Sequence, residues 1–197
     1  VLAGIYGAMA AMGKSPGAIT EQTFVVCGAG SAGMGIVNFI HAALVHHGLS
    51  PQQAFERFYI LDKHGLITSN RELKEGEPGV DDLRPFAESR RDLPDGINLR
   101  EVIESAKPTA LLGASTVSGL FTHEILTRMG ELNKNPIIMP LSNPTSRAEC
   151  TAEAAANATE GRAIFSAGSP FDDVSRNGVT MVANQGNNLY VFPGLGL

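Results

Sequence analysis

The stretch VVCGAGSAGMGI, residues 25–36, runs from a short apolar segment directly into closely spaced glycines. Gly28, Gly30 and Gly33 have the G-x-G-x-x-G spacing, which is a weak signal alone and a strong one between a strand and a helix. In that setting the first glycine makes a tight turn, the second leaves room for a pyrophosphate, and the third lets the helix pack closely on the strand. The stretch therefore predicts a strand that ends at Cys27 and a dinucleotide site just beyond it.

The helix predicted after this turn would begin near Ser31. The first amide N–H groups of a helix have no partner within it, and the helix dipole places partial positive charge there. The amides of Ser31, Ala32 and Gly33 would therefore be able to face an anion. We interpret the whole turn, residues 28–33 with Ala29 included, as the predicted pyrophosphate-binding segment.

An acidic residue at the tip of the next strand completes this context. The apolar residues 58–61 predict that strand, and Asp62 follows them. Asp62 comes 34 residues after Gly28, whereas the usual spacing is about 20, and an extra helix predicted at 50–57 explains the difference. A carboxylate there can accept hydrogen bonds from the hydroxyls of an adenosine ribose. It would repel a 2′-phosphate, which favours NAD over NADP. Lys63 and Arg71 could neutralise such a phosphate, so NADP stays open.

The remaining chain alternates short apolar segments with helical ones. Strands that are apolar on both faces indicate a parallel sheet covered on both sides, so we predict an α/β fold of the Rossmann type: a doubly wound, mostly parallel sheet with helices on both faces. Ser146 and Glu149 have capping-box spacing, which predicts a helix starting there. Residues 68–98 are polar and rich in Pro and Gly, and we interpret them as an excursion from the core. The predicted strands are 23–27, 58–61, 109–112, 136–139, 162–167 and 180–182, and the predicted helices include 1–13, 31–47, 50–57, 99–106 and 122–129.

In an open parallel sheet, ligands bind beyond the carboxyl ends of the strands. Ser115 follows the third predicted strand, Asn143 follows the fourth, and residues 166–171 follow the fifth. Asn187 and Asn188 come further along the chain. Small residues allow a flat cofactor to approach, and uncharged amides can hold a carboxamide or a carboxylate. These residues extend the predicted site along the edge of the sheet.

Composition excludes several classes of protein. Twenty acidic and fifteen basic residues give a net charge of −5, with no basic patch of the kind that binds nucleic acid. No apolar segment is long enough to span a bilayer. We therefore expect neither a nucleic-acid partner nor a membrane partner. Cys27 and Cys150 lie far apart, and no secretory signal is present, which favours reduced thiols in an intracellular compartment, cytoplasmic or mitochondrial.

The predicted site lacks chemistry of its own. The five histidines have no metal-ligand spacing, and no residue near the strand ends is an obvious general base for a hydroxy acid. We therefore expect no metal ligand and no catalytic residue in this chain, which reads as the cofactor-binding half of an enzyme. It begins without Met and ends on FPGLGL. We expect residues 1–197 to be one dinucleotide-binding domain, truncated at both ends relative to a longer protein.

Five segments, in this order, closely resemble the NAD-binding domain of malic enzymes. They are GAGSAGMGI, LDKHGLI, SNPTSRAECTAE, GRAIFSAGSPF and NQGNNLYVFPG, and the resemblance extends over nearly the whole chain. It implies oxidative decarboxylation of malate to pyruvate, with hydride transfer to NAD and a divalent metal, Mg²⁺ or Mn²⁺, as Lewis acid in the full-length protein.

Carried over by motif, the resemblance assigns roles to individual residues. It implies that Asn143, and Asn187 or Asn188, contact malate and the nicotinamide, and that Ser115 lines the cofactor groove. The Lys63-His64 pair is more similar to NAD-using members than to NADP-using ones. The family forms dimers and tetramers, so the resemblance also implies a homo-oligomer.

Two departures limit what the chain can do alone. The family's metal ligands, and its acid–base tyrosine and lysine, belong to segments that precede this domain, so we expect these 197 residues to be inactive by themselves.

Two alternative functions stay open. One is a non-catalytic nucleotide-binding or assembly module on the same scaffold, because a fold alone does not fix a function. The other is a malolactic-type enzyme, which would release lactate from malate.

Overall fold

A seven-stranded sheet forms the centre of the computed structural model, which describes residues 1–76, 79–176 and 178–186. The strand order is β3-β2-β1-β4-β5-β6-β9, and every neighbouring pair is parallel except β2 and β3. A separate antiparallel hairpin consists of β7 and β8. The strands are β1 Phe24–Cys27, β2 Phe58–Asp62, β3 Gly65–Leu66, β4 Ala110–Gly113, β5 Ile137–Pro140, β6 Ile164–Ala167, β7 Val174–Arg176, β8 Val179–Met181 and β9 Ala183–Gln185.

Helices cover both faces of this sheet. One face packs against α1 to α4, and the other packs against α5 to α7. The described residues also form two short 3₁₀ helices, Pro16–Glu21 and Thr145–Arg147. The α-helices are α1 Leu2–Ala11, α2 Ser31–His46, α3 Pro51–Phe55, α4 Val80–Ser89, α5 Leu99–Ala106, α6 His123–Leu132 and α7 Ala152–Thr159.

The alternation of side chains along β1 explains why the sheet has two cores. Phe24 and Val26 belong to the core under α1 to α4, whereas Val25 and Cys27 belong to the core under α5 to α7. Successive side chains of a strand point to opposite faces, and all four are buried, so the strand is apolar throughout. Fixed cores on both faces make the sheet a rigid support for the loops at its edge.

The chain changes direction across the sheet at β1. It passes from β1 through α2 and α3 to β2 on one side, and then crosses back to β4 on the other side. The carboxyl ends of neighbouring strands lie level there, with Cys27 paired to both Leu61 and Gly113. Such a switch point leaves a crevice between the loops, where α/β proteins of this topology bind ligands. The predicted Rossmann-type fold is confirmed.

Local signals placed several helix starts correctly. Ser50 and Asn98 each cap a helix with a capping box, at the start of the helices predicted over 50–57 and 99–106. The box predicted from Ser146 and Glu149 is wrong: Ser146 lies inside the short 3₁₀ helix Thr145–Arg147, and α7 begins at Ala152 with Thr151 as its cap. Glu149 is instead buried against the loops at the sheet edge.

Some elements were not predicted from the sequence. The polar excursion contains α4, which holds Pro85 inside it, and the short antiparallel strand β3. The strand predicted at 180–182 exists as β8, but it pairs with β7 outside the main sheet, and β9 provides the last strand of that sheet. None of the helices among the described residues combines the length and the apolar character needed to cross a lipid bilayer.

Candidate functional site

The glycine turn after β1 is tightly packed between the ends of its two neighbouring strands. Gly28 has a φ of 120° and donates its N–H to the carbonyl of Leu61 at 2.8 Å. A Cβ on Gly28 would collide with the carbonyl oxygen of Ala114, and a Cβ on Gly33 would collide with the carbonyl oxygen of Gly28. Both positions therefore require glycine, because the turn brings one backbone directly against another.

The second glycine of the motif, Gly30, has different surroundings. Gly30 is the N-cap of α2, is exposed, and has no atom within 4 Å of the place where a Cβ would stand. No side chain caps the first turn of α2, and that turn holds no acidic residue. Ser31 and Ala32 are exposed. An uncapped 16-residue helix that points its amino end into open space offers amide N–H groups and partial positive charge to an anion. The segment thus fits a pyrophosphate.

Asp62 ends β2 and lies beside the turn across the sheet edge. Its Oδ1 accepts the backbone N–H of His64 at 2.8 Å, and its Oδ2 accepts Nη1 of Arg71 at the same distance. The Asp62 side chain keeps 28% of its surface exposed, so its carboxylate can still accept a hydroxyl from solvent. Lys63 is exposed beside it. The position suits a carboxylate that contacts a ribose.

Arg71 is held by three acceptors at once. Besides Asp62, its Nε donates to Oδ2 of Asp95 at 2.6 Å, and its Nη2 donates to the carbonyl of Leu66 at 3.0 Å. Partial burial alone would lower the pKa of Arg71, but the hydrogen bonds and charges of Asp95 and Asp62 raise it, so the guanidinium is firmly cationic. The guanidinium of Arg71 is therefore already hydrogen-bonded to groups of the protein itself. Sequence reasoning treated Arg71 as able to neutralise a phosphate and missed Asp95 altogether.

A buried carboxylate joins the loops that follow β4 and β5. Glu149 is fully buried, and its Oε1 accepts the N–H of Ser115 at 2.9 Å, the hydroxyl of Ser115 at 2.8 Å and the hydroxyl of Ser142 at 2.5 Å. Gly113 leaves the space for this carboxyl group, because a Cβ there would collide with it. Ser142 in turn accepts the N–H of Thr116 at 2.9 Å, so its hydroxyl links both loops.

Burial beside Glu149 also affects the two thiols. Burial, and then the charge of Glu149, raise the pKa of Cys150 to about 12. The same causes raise the pKa of Cys27 still further. Both cysteines are free and buried, which agrees with the reduced thiols expected from the sequence.

Asn143 lies at the open side of the same cluster. It is exposed, precedes a cis peptide bond to Pro144, and its Oδ1 accepts the hydroxyl of Ser169 at 2.6 Å. Ser169 belongs to the loop after β6, so three successive strand ends are linked through polar side chains. Gly168 is needed at this point because a Cβ there would collide with the carbonyl of Leu141.

The structure thus places the predicted residues in two groups along one edge of the sheet. The turn 28–33 and Asp62 flank the switch point on the β2 side, and Ser115 and Asn143 follow on the β4 side. The predicted Asn187 and Asn188 lie outside the described residues. Within residues 1–76, 79–176 and 178–186, no three His, Cys, Asp or Glu side chains come together as ligands for a metal ion.

A doubly wound sheet with a glycine turn at its switch point defines a dinucleotide-binding domain of the Rossmann type. Within that class, the model of the family described as "Malic enzyme, NAD binding domain" matches residues 1–197. The chain therefore belongs to the malic enzyme family and corresponds to its NAD-binding domain.

Relatives with different coenzymes and products are similar to this chain. An NAD-dependent mitochondrial malic enzyme of Ascaris suum is 42% identical over 91% of the chain and 27% of its own length. An NADP-dependent malic enzyme of Anas platyrhynchos is 41% identical over 98% and 33%. A malolactic enzyme of Leuconostoc mesenteroides is 43% identical over 100% and 35%. The chain spans about a third of the length of these relatives.

A solved structure supports the fold independently. The crystal structure of Entamoeba histolytica malic enzyme superposes with a TM-score of 0.69 at 24% identity, covering 98% of this chain and 34% of the other. At that level of identity the likeness concerns the fold.

Proposed function

We propose that residues 1–197 form a single domain that binds NAD in an enzyme that oxidises and decarboxylates malate to pyruvate. The observation that carries the coenzyme assignment is the amino end of α2, which is uncapped, open at Gly30, and flanked by the carboxylate of Asp62. Amides for a diphosphate and a carboxylate for a ribose, at the switch point of a doubly wound sheet, match an adenine dinucleotide.

In this proposal each group of residues binds one part of the coenzyme. Residues 28–33 hold the pyrophosphate through backbone N–H groups. Asp62 accepts a hydroxyl of the adenosine ribose, with Lys63 exposed nearby. The loops held by Glu149 present Ser115 to the groove and Asn143 to the nicotinamide and malate. Roles for Asn187 and Asn188 in malate binding stay predictions from the sequence.

NAD is favoured over NADP by the charges around Asp62. A 2′-phosphate would approach a carboxylate, and Arg71 is already engaged with Asp62, Asp95 and Leu66. Bound NAD would supply the acceptor for the hydride that leaves the hydroxyl-bearing carbon of malate. The chain's own residues then orient the ring and exclude water from it.

The divalent metal of the proposed reaction does not fit the described residues, because they offer no set of three ligands. We therefore assign no step of the reaction to a metal held by these residues. In the proposal the metal ligands and the acid–base groups come from other parts of the full-length protein, which acts as a homo-oligomer.

The test uses the full-length protein that contains these residues. Calorimetric titration should show NAD binding with higher affinity than NADP, and incubation with malate, NAD and Mg²⁺ or Mn²⁺ should give NADH and pyruvate in equal amounts. If neither coenzyme binds, the coenzyme site is wrong. If coenzyme binds and malate is not consumed, the chain belongs to a non-catalytic nucleotide-binding module.

A malolactic reaction is the second candidate, because the Leuconostoc mesenteroides malolactic enzyme matches 100% of this chain at 43% identity. The same incubation separates the two candidates. Lactate without net NADH would favour the malolactic reaction, since the hydride would then return to the product.

A further inference from the structure

We propose that Asp95 determines the coenzyme preference of this site by holding Arg71 against Asp62. The inference rests on the proposed binding of the adenosine ribose at Asp62. Asp95 is a positioning residue, because it acts through the guanidinium of Arg71 and belongs to the polar excursion between β3 and α5.

The geometry makes Arg71 a fixed bridge between two carboxylates. Its Nε lies 2.6 Å from Oδ2 of Asp95 and its Nη1 lies 2.8 Å from Oδ2 of Asp62. The side chain of Arg71 is only 15% exposed. Two charge-assisted hydrogen bonds from different nitrogens of one planar group fix its orientation as well as its position.

Asp95 is itself firmly anchored. Its Oδ1 accepts the backbone N–H of Thr68 at 3.0 Å and the hydroxyl of Thr68 at 3.2 Å, and Thr68 is fully buried. Asp95 therefore presents its second oxygen to Arg71 from a rigid support. Without that carboxylate, the Nε of Arg71 would lose its shortest contact, and the flexible stem could turn the guanidinium outward.

The charges of the three side chains explain the effect on coenzyme choice. Within this group of three, two carboxylates and one guanidinium leave an excess of one negative charge, and Lys63 stands exposed beside Asp62. A 2′-phosphate carries between one and two negative charges at neutral pH, so it is repelled, and the arginine that would pair with it is occupied. A ribose hydroxyl has no such conflict and can donate to Asp62. With only Asp62 and the carbonyl of Leu66 as partners, Arg71 would be held less firmly and could turn toward the phosphate; the contact with Asp95 prevents this.

The decisive variant is Asp95→Asn in the full-length protein. An asparagine can keep its carbonyl oxygen on Thr68 and places an amide NH₂ where Arg71 had an acceptor. The dissociation constants of NAD and NADP are measured by calorimetry, and we expect the NADP-to-NAD affinity ratio to rise roughly tenfold, as removing one nearby charge near a protein surface predicts. In the double variant Arg71→Met/Asp95→Asn, the gain should disappear, because no guanidinium is left to release.

A matched control keeps the type of substitution and moves it by three residues. Asp92→Asn removes an exposed carboxylate whose Oδ1 lies 3.6 Å from Nη1 of Arg90. We expect the coenzyme ratio to stay unchanged, which distinguishes a local effect from a general loss of negative charge.

Several outcomes decide the proposal. If Asp95→Asn weakens the binding of NAD and of NADP by the same factor, Asp95 has only a structural role and the inference is wrong. If it does not fold, Arg71→Lys decides instead, because a lysine keeps the charge but cannot bridge both carboxylates; an unchanged ratio there would overturn the inference. If neither NAD nor NADP binds to the unsubstituted protein, the proposed function is refuted instead.

Discussion

The carboxylate of Glu149 accepts both the backbone N–H and the hydroxyl of Ser115, at 2.9 and 2.8 Å. The two residues are 34 positions apart in the chain, yet they meet because β4 and β5 are neighbours in the sheet. The same oxygen accepts the hydroxyl of Ser142. A fully buried carboxylate thus joins the two loops that frame the β4 side of the proposed coenzyme site.

Replacing Glu149 by Gln should destabilise the protein. The amide keeps the shape but turns an NH₂ donor toward donors of Ser115 or Ser142, which leaves buried groups unpaired. We expect the free energy of unfolding to fall by about 1–3 kcal/mol, measured by denaturant titration. Glu153→Gln, an exposed change in the first turn of α7, is the control and should stay within about 0.5 kcal/mol. Equal losses for both variants would contradict the role of Glu149.

Two glycines of α2 should respond in opposite ways to alanine. Gly33→Ala places a methyl group on the carbonyl of Gly28, and the overpacking should cost about 1–3 kcal/mol of stability. Gly35→Ala adds a methyl where no atom lies within 4 Å and should stabilise the helix by roughly 0.5–1 kcal/mol. Thermal unfolding followed by circular dichroism measures both. Equal melting temperatures would show that the turn is not closely packed.

Gly30→Ala should separate binding from folding. Gly30 has an ordinary φ of −78° and open space around its Cα, so stability should change by no more than about 1 kcal/mol, the cost of a poorer N-cap. The methyl group would occupy the space proposed for the pyrophosphate, so NAD affinity should fall at least about tenfold. Calorimetry checks this, with Gly35→Ala as the control. Unchanged affinity would place the pyrophosphate elsewhere.

Asp62→Ala should weaken the binding of NAD by about 1–3 kcal/mol, because a ribose hydroxyl would lose its hydrogen-bond acceptor. The affinity for NADP should fall less than that for NAD, or rise, since the carboxylate no longer repels the 2′-phosphate and Arg71 is released from one partner. Titration of both coenzymes into the same variant measures the two effects together. A parallel loss of NAD and NADP would argue against a ribose contact at Asp62.

The thiols should be inert in the folded protein. Burial and the charge of Glu149 raise the pKa of Cys150 from 9.0 to about 12 and also raise that of Cys27. Because the folded state favours the neutral thiols, their contribution to stability is complete below about pH 9 and is lost as the pH rises toward 12. At pH 8, Ellman's reagent should label neither thiol until guanidinium unfolds the protein. Rapid labelling of the native protein would contradict their burial.

Local sequence patterns identified most of the fold and the first part of the site. The spacing of Gly28, Gly30 and Gly33 between an apolar segment and a helix depends only on neighbouring residues. The same is true of Asp62 at the tip of β2 and of the Ser50 and Asn98 caps. Helix α4 escaped prediction because its segment is polar and contains Pro85, so local composition argued against a helix that tertiary packing of Leu83 and Phe86 stabilises.

Contacts between distant segments were decided by the tertiary structure. The spacing of Ser146 and Glu149 satisfied a local rule, yet Glu149 pairs with Ser115 and Ser142 because the sheet brings those loops together. Asp95 likewise meets Arg71 only because the excursion folds back beside β2 and β3. Capping and periodicity are encoded within a few residues, whereas the partner of a buried charge is set by strand order, which no short stretch of sequence contains.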